Sequence, residues 1–291
     1  MLDKRMEIEA VVSRLASGMT IAIGGWATRR KPMALVRALA RSDVKDLTVI
    51  AYGGPDVGLL AATGKIAKLI FGFVSLDHLP LDPHFRAARQ AGKFEVLELD
   101  EGMVHWGLRA AAMRLPFLPT RTGLGTDIAS QGFKTVRSPY ADGEELLAMP
   151  ALPVDAALLH VHESDQQGNT LILSPDPFFD ELMARAAKSV YVSCEKLVPT
   201  EALGLPERGR FNPFERSLVT GVVEAPFGAH PTGATPSYGI DLDHLKTYTE
   251  ATTPEAWADY YARFVAPTDP AAYLDAVGGA ARIAGLPAPI Y

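Results

Sequence analysis

The stretch MTIAIGGWATRRKP, residues 19–32, begins as an apolar segment, passes through a glycine pair and a basic loop, and ends at a proline. Residues 19–23 are short, apolar and bounded by Gly18 and Gly24, which predicts a strand buried on both faces of a parallel sheet. Pro32 suits the first turn of a following helix, where its missing N–H costs little. The stretch therefore predicts a strand, a turn and a helix around which the rest of the chain is organised.

The glycine pair is a candidate binding turn. Gly24 and Gly25 lack Cβ atoms, so the chain can turn sharply there and present its N–H groups to a ligand at close range. This favours an anion or oxyanion site, with a tight connection that binds nothing as the alternative. The stretch is not a nucleotide fingerprint, because it contains neither G-x-G-x-x-G nor G-K-[ST].

Bulky and basic side chains follow the pair. Trp26 is expected at the mouth of the strand, and Arg29, Arg30 and Lys31 precede a helix N-terminus, where cations oppose the helix dipole. Binding of anionic groups would explain this choice of residues, and a solvated basic loop is the alternative.

Composition narrows the class of protein. With 291 residues, of which 48% are hydrophobic and 21% charged, the chain is typical of a globular protein with a substantial core. The net charge of −6 argues against nucleic-acid binding. Cys194, the single cysteine, excludes an internal disulfide and is expected in a buried strand. The N-terminus has no apolar segment typical of a leader, and nowhere do eighteen apolar residues run together, so we expect a cytoplasmic protein that does not bind membranes.

Strands alternate with helices along most of the chain, which predicts βαβ units and an α/β fold with a mostly parallel open sheet flanked by helices. We expect a single domain over residues 1–291 with a C-terminal helical extension from about 241 to 291. The predicted strands are 19–23, 47–52, 67–73, 94–99, 156–162, 170–173, 189–194 and 218–224. The predicted helices are 6–17, 32–41, 57–63, 82–91, 103–115, 176–188, 241–251, 254–265 and 270–284.

A second glycine pair, Gly53 and Gly54, ends the second predicted strand as the first pair ends the first. In open α/β sheets ligands bind outside the carboxyl ends of the strands. The two pairs are therefore expected to line one crevice.

Two adjacent acids, Asp100 and Glu101, follow the fourth predicted strand and precede a helix. A capping role is one interpretation, because acids stabilise a helix N-terminus. The other is that Glu101 lies at the mouth of the crevice, where partial burial would raise its pKa towards that of a general base.

An irregular loop is predicted over residues 116–127, with two prolines and two glycines. Arg121 in this loop is a candidate for binding a substrate carboxylate in a bidentate manner, and an anchor for the loop on Asp127 is the slightly favoured alternative.

Residues 160–165 contain His160, His162, Glu163 and Asp165, which have the chemistry of metal ligands. An acidic hairpin with alternating polar residues is more often plain structure, so we predict no metal site here.

Several landmarks in this order resemble the α subunits of the family I coenzyme A transferases, which include glutaconate CoA-transferase. The resemblance covers most of the chain and rests on IGGW at 23–26, GLGTD at 123–127, DQQGN at 165–169, AK at 187–188 before Val190 and Glu195, and EAPFGAHP at 224–231. Within the family the chain is similar to the α subunits of bacterial steroid ring-cleaving hydrolases, through RRKPM at 29–33, YGGPD at 52–56, FVSLD at 73–77 and DEGM at 100–103.

This resemblance implies a two-subunit enzyme, organised as an (αβ)2 heterotetramer, whose active site is shared with a separate β chain. It also implies that Glu101 is the catalytic acid–base residue. It implies an acyl-CoA substrate, no cofactor beyond the CoA of the substrate, and hydrolysis of a carbon–carbon bond. Gly24 and Gly25 would then hold an oxyanion, Arg121 would position the substrate, and Arg29 and Arg30 would meet CoA phosphates.

Two alternatives to a hydrolase stay open. Family transferases form a thioester on a glutamate in a Ser-Glu-Asn-Gly-type setting, usually in the β chain, and no such motif occurs here. This absence fits either a hydrolase or the α half of a transferase. A non-catalytic or sugar-phosphate-binding member of the same architecture is the third candidate, because fold does not fix function.

Overall fold

The computed structural model describes residues 3–140 and 143–288 of the chain. In this part of the chain, seven parallel strands form the main sheet in the order β11-β10-β8-β1-β2-β3-β4, and β9 pairs with β8 in the antiparallel sense. The strands of this sheet are β1 (Thr20–Ile23), β2 (Leu47–Gly53), β3 (Ile66–Val74), β4 (Glu95–Glu98), β8 (Val154–Ser164), β9 (Thr170–Leu171), β10 (Ala187–Leu197) and β11 (Val219–Glu224). The predicted α/β fold with a mostly parallel sheet is confirmed.

The chain order of the strands creates one crossover point. From β1 the chain moves outward through β2 and β3 to β4, and it then returns to place β8 against the other side of β1. Such a reversal leaves a crevice at the carboxyl ends of the two central strands. Gly24 and Gly25 follow β1 at this edge, as expected.

Helices cover both faces of the sheet. They are α1 (Ile8–Val12), α2 (Met33–Arg41), α3 (Pro55–Ala62), α4 (Pro83–Gln90), α5 (Glu101–Ala112), α6 (Asp180–Ala186), α7 (Thr200–Leu203), α8 (Pro206–Gly209), α9 (Leu242–Glu250), α10 (Pro254–Tyr260), α11 (Pro270–Ala276) and α12 (Ala280–Ala284). One core cluster lies between the sheet and the side of α2, α3 and the C-terminal helices, and a second lies on the side of α5 and α6. The central strands β1, β2 and β8 are buried on both faces, so their sequences are apolar runs rather than alternating patterns, whereas the edge strand β4 is mostly exposed.

The C-terminal helices share a core with the main sheet. Tyr248, Phe264 and Ile283 are buried in the same cluster as Ile21 of β1. Residues 1–2 and 289–291, the two ends of the predicted domain, lie outside the described residues.

A small antiparallel sheet was not predicted. Its strands are β5 (Phe117–Thr120), β6 (Lys134–Arg137) and β7 (Glu145–Pro150), in the order β5-β7-β6. The predicted irregular loop over 116–127 is therefore wrong in its first part. Pro119 argued against a strand, but β5 is an edge strand, where a missing N–H is tolerated.

Three helix predictions were too long. The helix predicted over 6–17 is only α1, and the helix predicted over 176–188 is only α6, because residues 187–188 already belong to β10. The helix predicted over 270–284 is divided between α11 and α12. Gly278 and Gly279 separate these two helices with φ angles of 93° and 91°, a conformation that interrupts a right-handed helix. Among the described residues, no helix combines the length and the apolar character needed to cross a membrane.

Candidate active site

Aromatic side chains gather at the carboxyl ends of the first three strands. Trp26 follows β1, Tyr52 lies near the end of β2 and Phe73 lies near the end of β3. The rings of Trp26 and Tyr52 stack with centroids 5.2 Å apart and an interplanar angle of 11°, and Trp26 contacts Phe73 at 4.8 Å. Neighbouring parallel strands end at the same edge, so residues distant in sequence form one aromatic surface.

Two further rings come from the segment before α6. Phe178 stacks on Trp26 at 5.9 Å, and Phe179 packs on Tyr52 at 4.6 Å. Trp26, Phe73, Phe178 and Phe179 are each partly exposed, whereas Tyr52 is buried. We call these five residues the aromatic surface, which offers an apolar ligand a rigid contact area.

Glu101 lies beside the aromatic surface as the first residue of α5. The Tyr52 hydroxyl donates to the Glu101 backbone carbonyl at 3.2 Å. On the neighbouring strand, a Cβ added to Gly72 would lie 2.9 Å from the Glu101 Cα atom, so the glycine allows this close approach. The N-terminus of α5 is thus fixed against the ends of β2 and β3.

The two acids have separate positions, as predicted. The Asp100 carboxylate accepts the Gly102 N–H at 2.7 Å and caps α5. Within the described residues, the Glu101 carboxylate has no hydrogen-bond donor or cation within bonding distance. Its partial burial, reinforced by the negative charge of Asp100, raises the pKa of Glu101 above that of an ordinary glutamate. A partly exposed carboxylate with a raised pKa and no partner has the properties of a general base.

The two glycines after β1 do not offer free amides. The Gly24 N–H donates to the Leu158 carbonyl at 2.9 Å, and the Gly25 N–H donates to Asp180 Oδ1 at 2.9 Å. The expectation that these amides hold an oxyanion is contradicted by these bonds. Gly25 has a φ of 73°, and a Cβ there would lie 2.5 Å from the carbonyl oxygens of Arg29 and Arg30, so this glycine is required by the turn itself.

Arg30 is structural. Its side chain is 1% exposed and donates to Asp180 Oδ2 at 2.6 Å, to the His160 carbonyl at 2.7 Å and to the Pro177 carbonyl at 3.0 Å. The expectation that Arg30 meets CoA phosphates is therefore corrected. Asp180 binds the Gly25 amide with its other oxygen, so one buried carboxylate joins the turn after β1 to the start of α6.

The other two cations of the basic loop differ in exposure. Lys31 is fully buried and lies 3.1 Å from Asp56, and burial lowers the pKa of Lys31 while Asp56 opposes this shift. Arg29 is partly exposed, pairs with Asp77 at 3.5 Å and lines a cavity of about 360 Å³ together with Phe178 and Thr235. Arg30 lines the same cavity, but its guanidinium is buried against Asp180, so Arg29 is the more exposed cation at this cavity.

The second glycine pair is also tightly packed. The Gly54 N–H donates to Asp56 Oδ1 at 2.7 Å, and a Cβ on Gly54 would overlap the Ala27 carbonyl. A Cβ on Gly53 would lie 2.9 Å from side-chain atoms of Val57 and Val74. Both pairs therefore lie at the predicted edge, where the second pair lets two loops pack closely.

Arg121 forms a bidentate ion pair with Glu144, with both N–O distances at 2.5 Å. The expected anchor on Asp127 is corrected to Glu144. The Arg121 side chain is 77% exposed. Its neighbour Thr122 lies near Gly102 at the start of α5, so the loop borders the site.

The histidines of β8 take part in buried networks. His160 contacts Ser193 through Nδ1 and Glu195 through Nε2, each at 2.8 Å, and His162 contacts the Thr235 carbonyl through Nε2 at 2.8 Å. Burial, reinforced by Arg30 and His160, lowers the pKa of His162 to about 4. A search of the described residues finds no group of three His, Cys, Asp or Glu side chains that could hold a metal ion. Cys194 is buried, as predicted, and burial raises the pKa of its thiol to about 12.

Comparison with known proteins places this chain in a family. Residues 5–208 match the model of the family described as coenzyme A transferase. The chain belongs to the coenzyme A transferase family. The resemblance found in the sequence is thus confirmed.

Three relatives of this coenzyme A transferase chain differ in the reactions that their names describe. The cholesterol ring-cleaving hydrolase IpdA subunit of Rhodococcus jostii is 52% identical over 272 residues, covering 90% of this chain and 92% of that protein. The structure of glutaconate coenzyme A-transferase from Acidaminococcus fermentans superposes with a TM-score of 0.91 at 28% identity, covering 97% of this chain and 95% of that chain. A variant of the decarboxylase AibA/AibB superposes with a TM-score of 0.79 at 30% identity, covering 89% and 97% of the two chains.

One polar residue of the candidate site in this coenzyme A transferase chain, His105, was not predicted from the sequence. His105 lies one turn after Glu101 on α5 and contacts Phe179, with ring centroids 4.7 Å apart. Glu101 and His105 are four residues apart at a predicted helix, and this spacing places both side chains on one face. The spacing could therefore have predicted His105 as a neighbour of Glu101.

Proposed function

We propose that this chain is the α subunit of a hydrolase that opens a ring of a steroid-derived acyl-CoA by hydrolysis of a carbon–carbon bond, with Glu101 as the general base. The observation that carries the proposal is the Glu101 carboxylate, which is partly exposed, has a raised pKa and lacks a bonding partner among the described residues. The relative in Rhodococcus jostii, which shares 52% of its residues, is named as a subunit of a cholesterol ring-cleaving hydrolase.

The aromatic surface supports an apolar ring as the substrate group. Its partly exposed rings lie beside the N-terminus of α5, where Glu101 begins the helix. A fused-ring acyl group would bury apolar area against these rings and place a ring carbonyl near the base. A short polar acyl group would gain little from the same contact.

The reaction needs one water molecule and one base. Glu101 removes a proton from water as the water oxygen bonds to the ring carbonyl carbon, and the carbonyl oxygen becomes an oxyanion. When the C=O bond re-forms, the bond to the neighbouring ring carbon breaks and leaves its electron pair on that carbon, where an adjacent carbonyl delocalises it. The proton on Glu101 passes to this carbon. A carboxylic acid and a C–H bond have formed, and Glu101 is ionised again.

The CoA portion is proposed to lie on the side of Arg29. This residue lines the cavity of about 360 Å³ at the carboxyl edge, a volume within the range of ligand pockets. Arg121 is proposed to border the substrate from the loop next to the start of α5, where it would exchange its contact with Glu144 for a substrate oxygen. No cofactor other than the CoA of the substrate is needed for these steps.

A separate β subunit is proposed to complete the site. The relatives of this chain in Rhodococcus jostii and Acidaminococcus fermentans are named as subunits. In the part of the chain that the structure describes, Glu101 and the aromatic surface offer a base and an apolar contact, and no nucleophile is paired with this base. We expect an (αβ)2 heterotetramer. Sedimentation of the chain copurified with the product of its neighbouring gene tests this assembly, and full activity of the isolated chain would contradict it.

A CoA-transferase is the second candidate, because the glutaconate coenzyme A-transferase structure superposes over 97% of this chain. In that reaction the nucleophilic glutamate would belong to the β chain, with a covalent CoA intermediate and ping-pong kinetics. Transfer of CoA between a labelled acyl-CoA and a free carboxylate measures this activity directly.

The deciding experiment compares Glu101→Gln with Glu95→Gln in the copurified assembly. Loss of the base should lower the rate of ring hydrolysis by about 10²–10⁴-fold, whereas Glu95, which is exposed on β4, should tolerate the same change. Retained hydrolysis in the Glu101→Gln assembly, or CoA exchange without hydrolysis in the unmodified one, would overturn the proposal.

The Glu101→Gln variant should keep its stability. The pKa of Glu101 is raised in the folded state, so its contribution to stability is present below the unfolded pKa and is lost as pH rises through the folded pKa. At neutral pH the ionised carboxylate does not stabilise the folded state, so replacing it with an amide should not lower the free energy of unfolding. An unchanged or higher melting temperature therefore separates lost catalysis from unfolding.

A further inference from the structure

His105 is placed to act together with Glu101. It lies one turn further along α5, and side chains of a helix lean towards its N-terminus, so the imidazole extends over the turn that carries Glu101. The ring is partly exposed and packs edge-on against Phe179 of the aromatic surface at 4.7 Å. It therefore borders the space that the proposed function assigns to the acyl group.

Arg109 determines which nitrogen of His105 carries the proton. Its Nε and Nη2 atoms both lie within hydrogen-bond distance of His105 Nε2, at 3.2 and 3.0 Å. A guanidinium can only donate, so Nε2 must accept and the imidazole must be neutral. The hydrogen is then on Nδ1, which has no acceptor among the described residues.

The electrostatic surroundings keep the ring neutral. Burial and the charge of Arg109 lower the pKa of His105, and Glu181 opposes them with a smaller effect. A neutral imidazole with a fixed N–H donor can polarise a carbonyl without transferring its proton.

We propose that His105 is a catalytic residue whose Nδ1–H donates a hydrogen bond to the oxygen of the attacked ring carbonyl. The proposal rests on the proposed ring-opening function and assigns the oxyanion contact that the Gly24 and Gly25 amides cannot make. As water adds, negative charge develops on this oxygen and the hydrogen bond strengthens. The Nδ1 proton stays on the histidine throughout, and Glu101 carries the proton taken from water.

A purely structural histidine would behave differently. Packing against Phe179 requires only a flat ring, which phenylalanine would supply. The strength of this packing would not depend on which ring nitrogen of the histidine carries the proton. His105→Phe keeps the ring and removes the donor. His105→Asn removes the ring and restores an N–H donor close to the position of Nδ1.

The test measures ring hydrolysis by the copurified assembly. His105→Phe should lower kcat by about 10²–10³-fold, as does loss of one oxyanion donor in other enzymes, with KM within about threefold of the unmodified value. His105→Asn should be at least about tenfold faster than His105→Phe. The exposed His78 provides the control His78→Asn, which should leave kcat unchanged. A His105→Phe assembly within about threefold of normal kcat, or an asparagine variant no faster than it, overturns the proposal.

A second measurement does not depend on the reaction. The ¹⁵N chemical shifts of the His105 ring in the assembly should report a protonated Nδ1 and an unprotonated Nε2 at neutral pH. The opposite tautomer or a doubly protonated ring would overturn the assignment even if every variant lost activity. Conversely, if the unmodified assembly failed to hydrolyse a ring while the shifts reported the expected tautomer, the proposed function and the role of His105 in it would both be overturned, and only the tautomer assignment would stand.

Discussion

The buried pair of Arg30 and Asp180 gives the sharpest prediction about stability. Both side chains are 1% exposed, the Nη1–Oδ2 distance is 2.6 Å, and the other Asp180 oxygen accepts the Gly25 N–H at 2.9 Å. Asp180→Asn keeps the shape of the side chain and removes its charge. The single amide oxygen of the new side chain could accept from Arg30 or from the Gly25 N–H but not occupy both places, and the Arg30 guanidinium would be buried without a counter-charge.

The size of the effect follows from this burial. Removing one partner of a buried ion pair costs about 3–5 kcal/mol, because the remaining charge stays out of water. For a chain of this length each kcal/mol corresponds to about 2 °C, so the melting temperature should fall by about 6–10 °C. The exposed pair of Arg263 and Asp259 is the matched control, and Asp259→Asn should change the unfolding free energy by less than about 1 kcal/mol.

A double substitution tests the cause. Replacing a buried ion pair by apolar side chains of similar volume is often neutral, so Arg30→Met combined with Asp180→Leu should recover most of the stability lost in Asp180→Asn. Thermal unfolding of the same copurified assembly measures all four proteins. A melting temperature of Asp180→Asn within about 2 °C of normal, or a double variant that melts below the single one, would refute the reasoning.

Three further outcomes are expected. Glu101 must be ionised to act as a base, and its pKa is raised, first by burial and then by Asp100, so kcat/KM should fall on the acid side at a pH above the pKa of an ordinary glutamate. Asp100→Asn should move this acid limb of the pH profile to lower pH. An acid limb that does not move would contradict the assignment of Glu101 as the base. Trp26→Ala should raise KM for a ring-containing acyl-CoA by about two- to tenfold with little change in kcat, and equal effects on an acetyl-CoA analogue would contradict a role in ring binding. Gly25→Ala should lower stability by at least about 1–2 kcal/mol, since φ is 73° there, and a normal melting temperature would show that the turn accepts a side chain.

The central strands β1, β2 and β8 were predictable because each is an apolar run that the sheet buries on both faces. Residues 19–23 and 47–52 correspond to β1 and β2 with boundaries that differ by one residue. The acids after β4 were predictable for a similar reason, since a strand end followed by a helix start places Asp100 at the cap. The small sheet was not, because β5 contains a proline and its pairing with β7 depends on residues about thirty positions away.

The roles assigned to the basic loop failed for a different reason. Arg30 was interpreted as an anion-binding residue because it is one of three cations before a helix N-terminus, whereas its carboxylate partner lies 150 residues further along the chain. The glycine pairs likewise suggested ligand contacts, whereas Gly54 is needed because the Ala27 carbonyl lies where a side chain would be. The roles of Arg30 and Gly54 both depend on contacts with residues distant in sequence, which the local sequence pattern does not reveal.

At the carboxyl edge of the sheet, the residues that stabilise the fold are separate from the residues proposed to take part in the reaction. Arg30 and Asp180 lie buried behind the turn after β1, where they hold the start of α6 and with it two rings of the aromatic surface. Glu101 and His105 lie in front on α5, where the Glu101 carboxylate and His105 Nδ1 have no hydrogen-bond partner among the described residues. Relatives with this fold are named as a hydrolase, a transferase and a decarboxylase, so the fold itself does not select the reaction. Under the proposed function, Glu101 and His105 would supply a base and a neutral donor on one face of α5, with water as the nucleophile of a hydrolysis. A glutamate of a β subunit acting in place of water would make the reaction a CoA transfer.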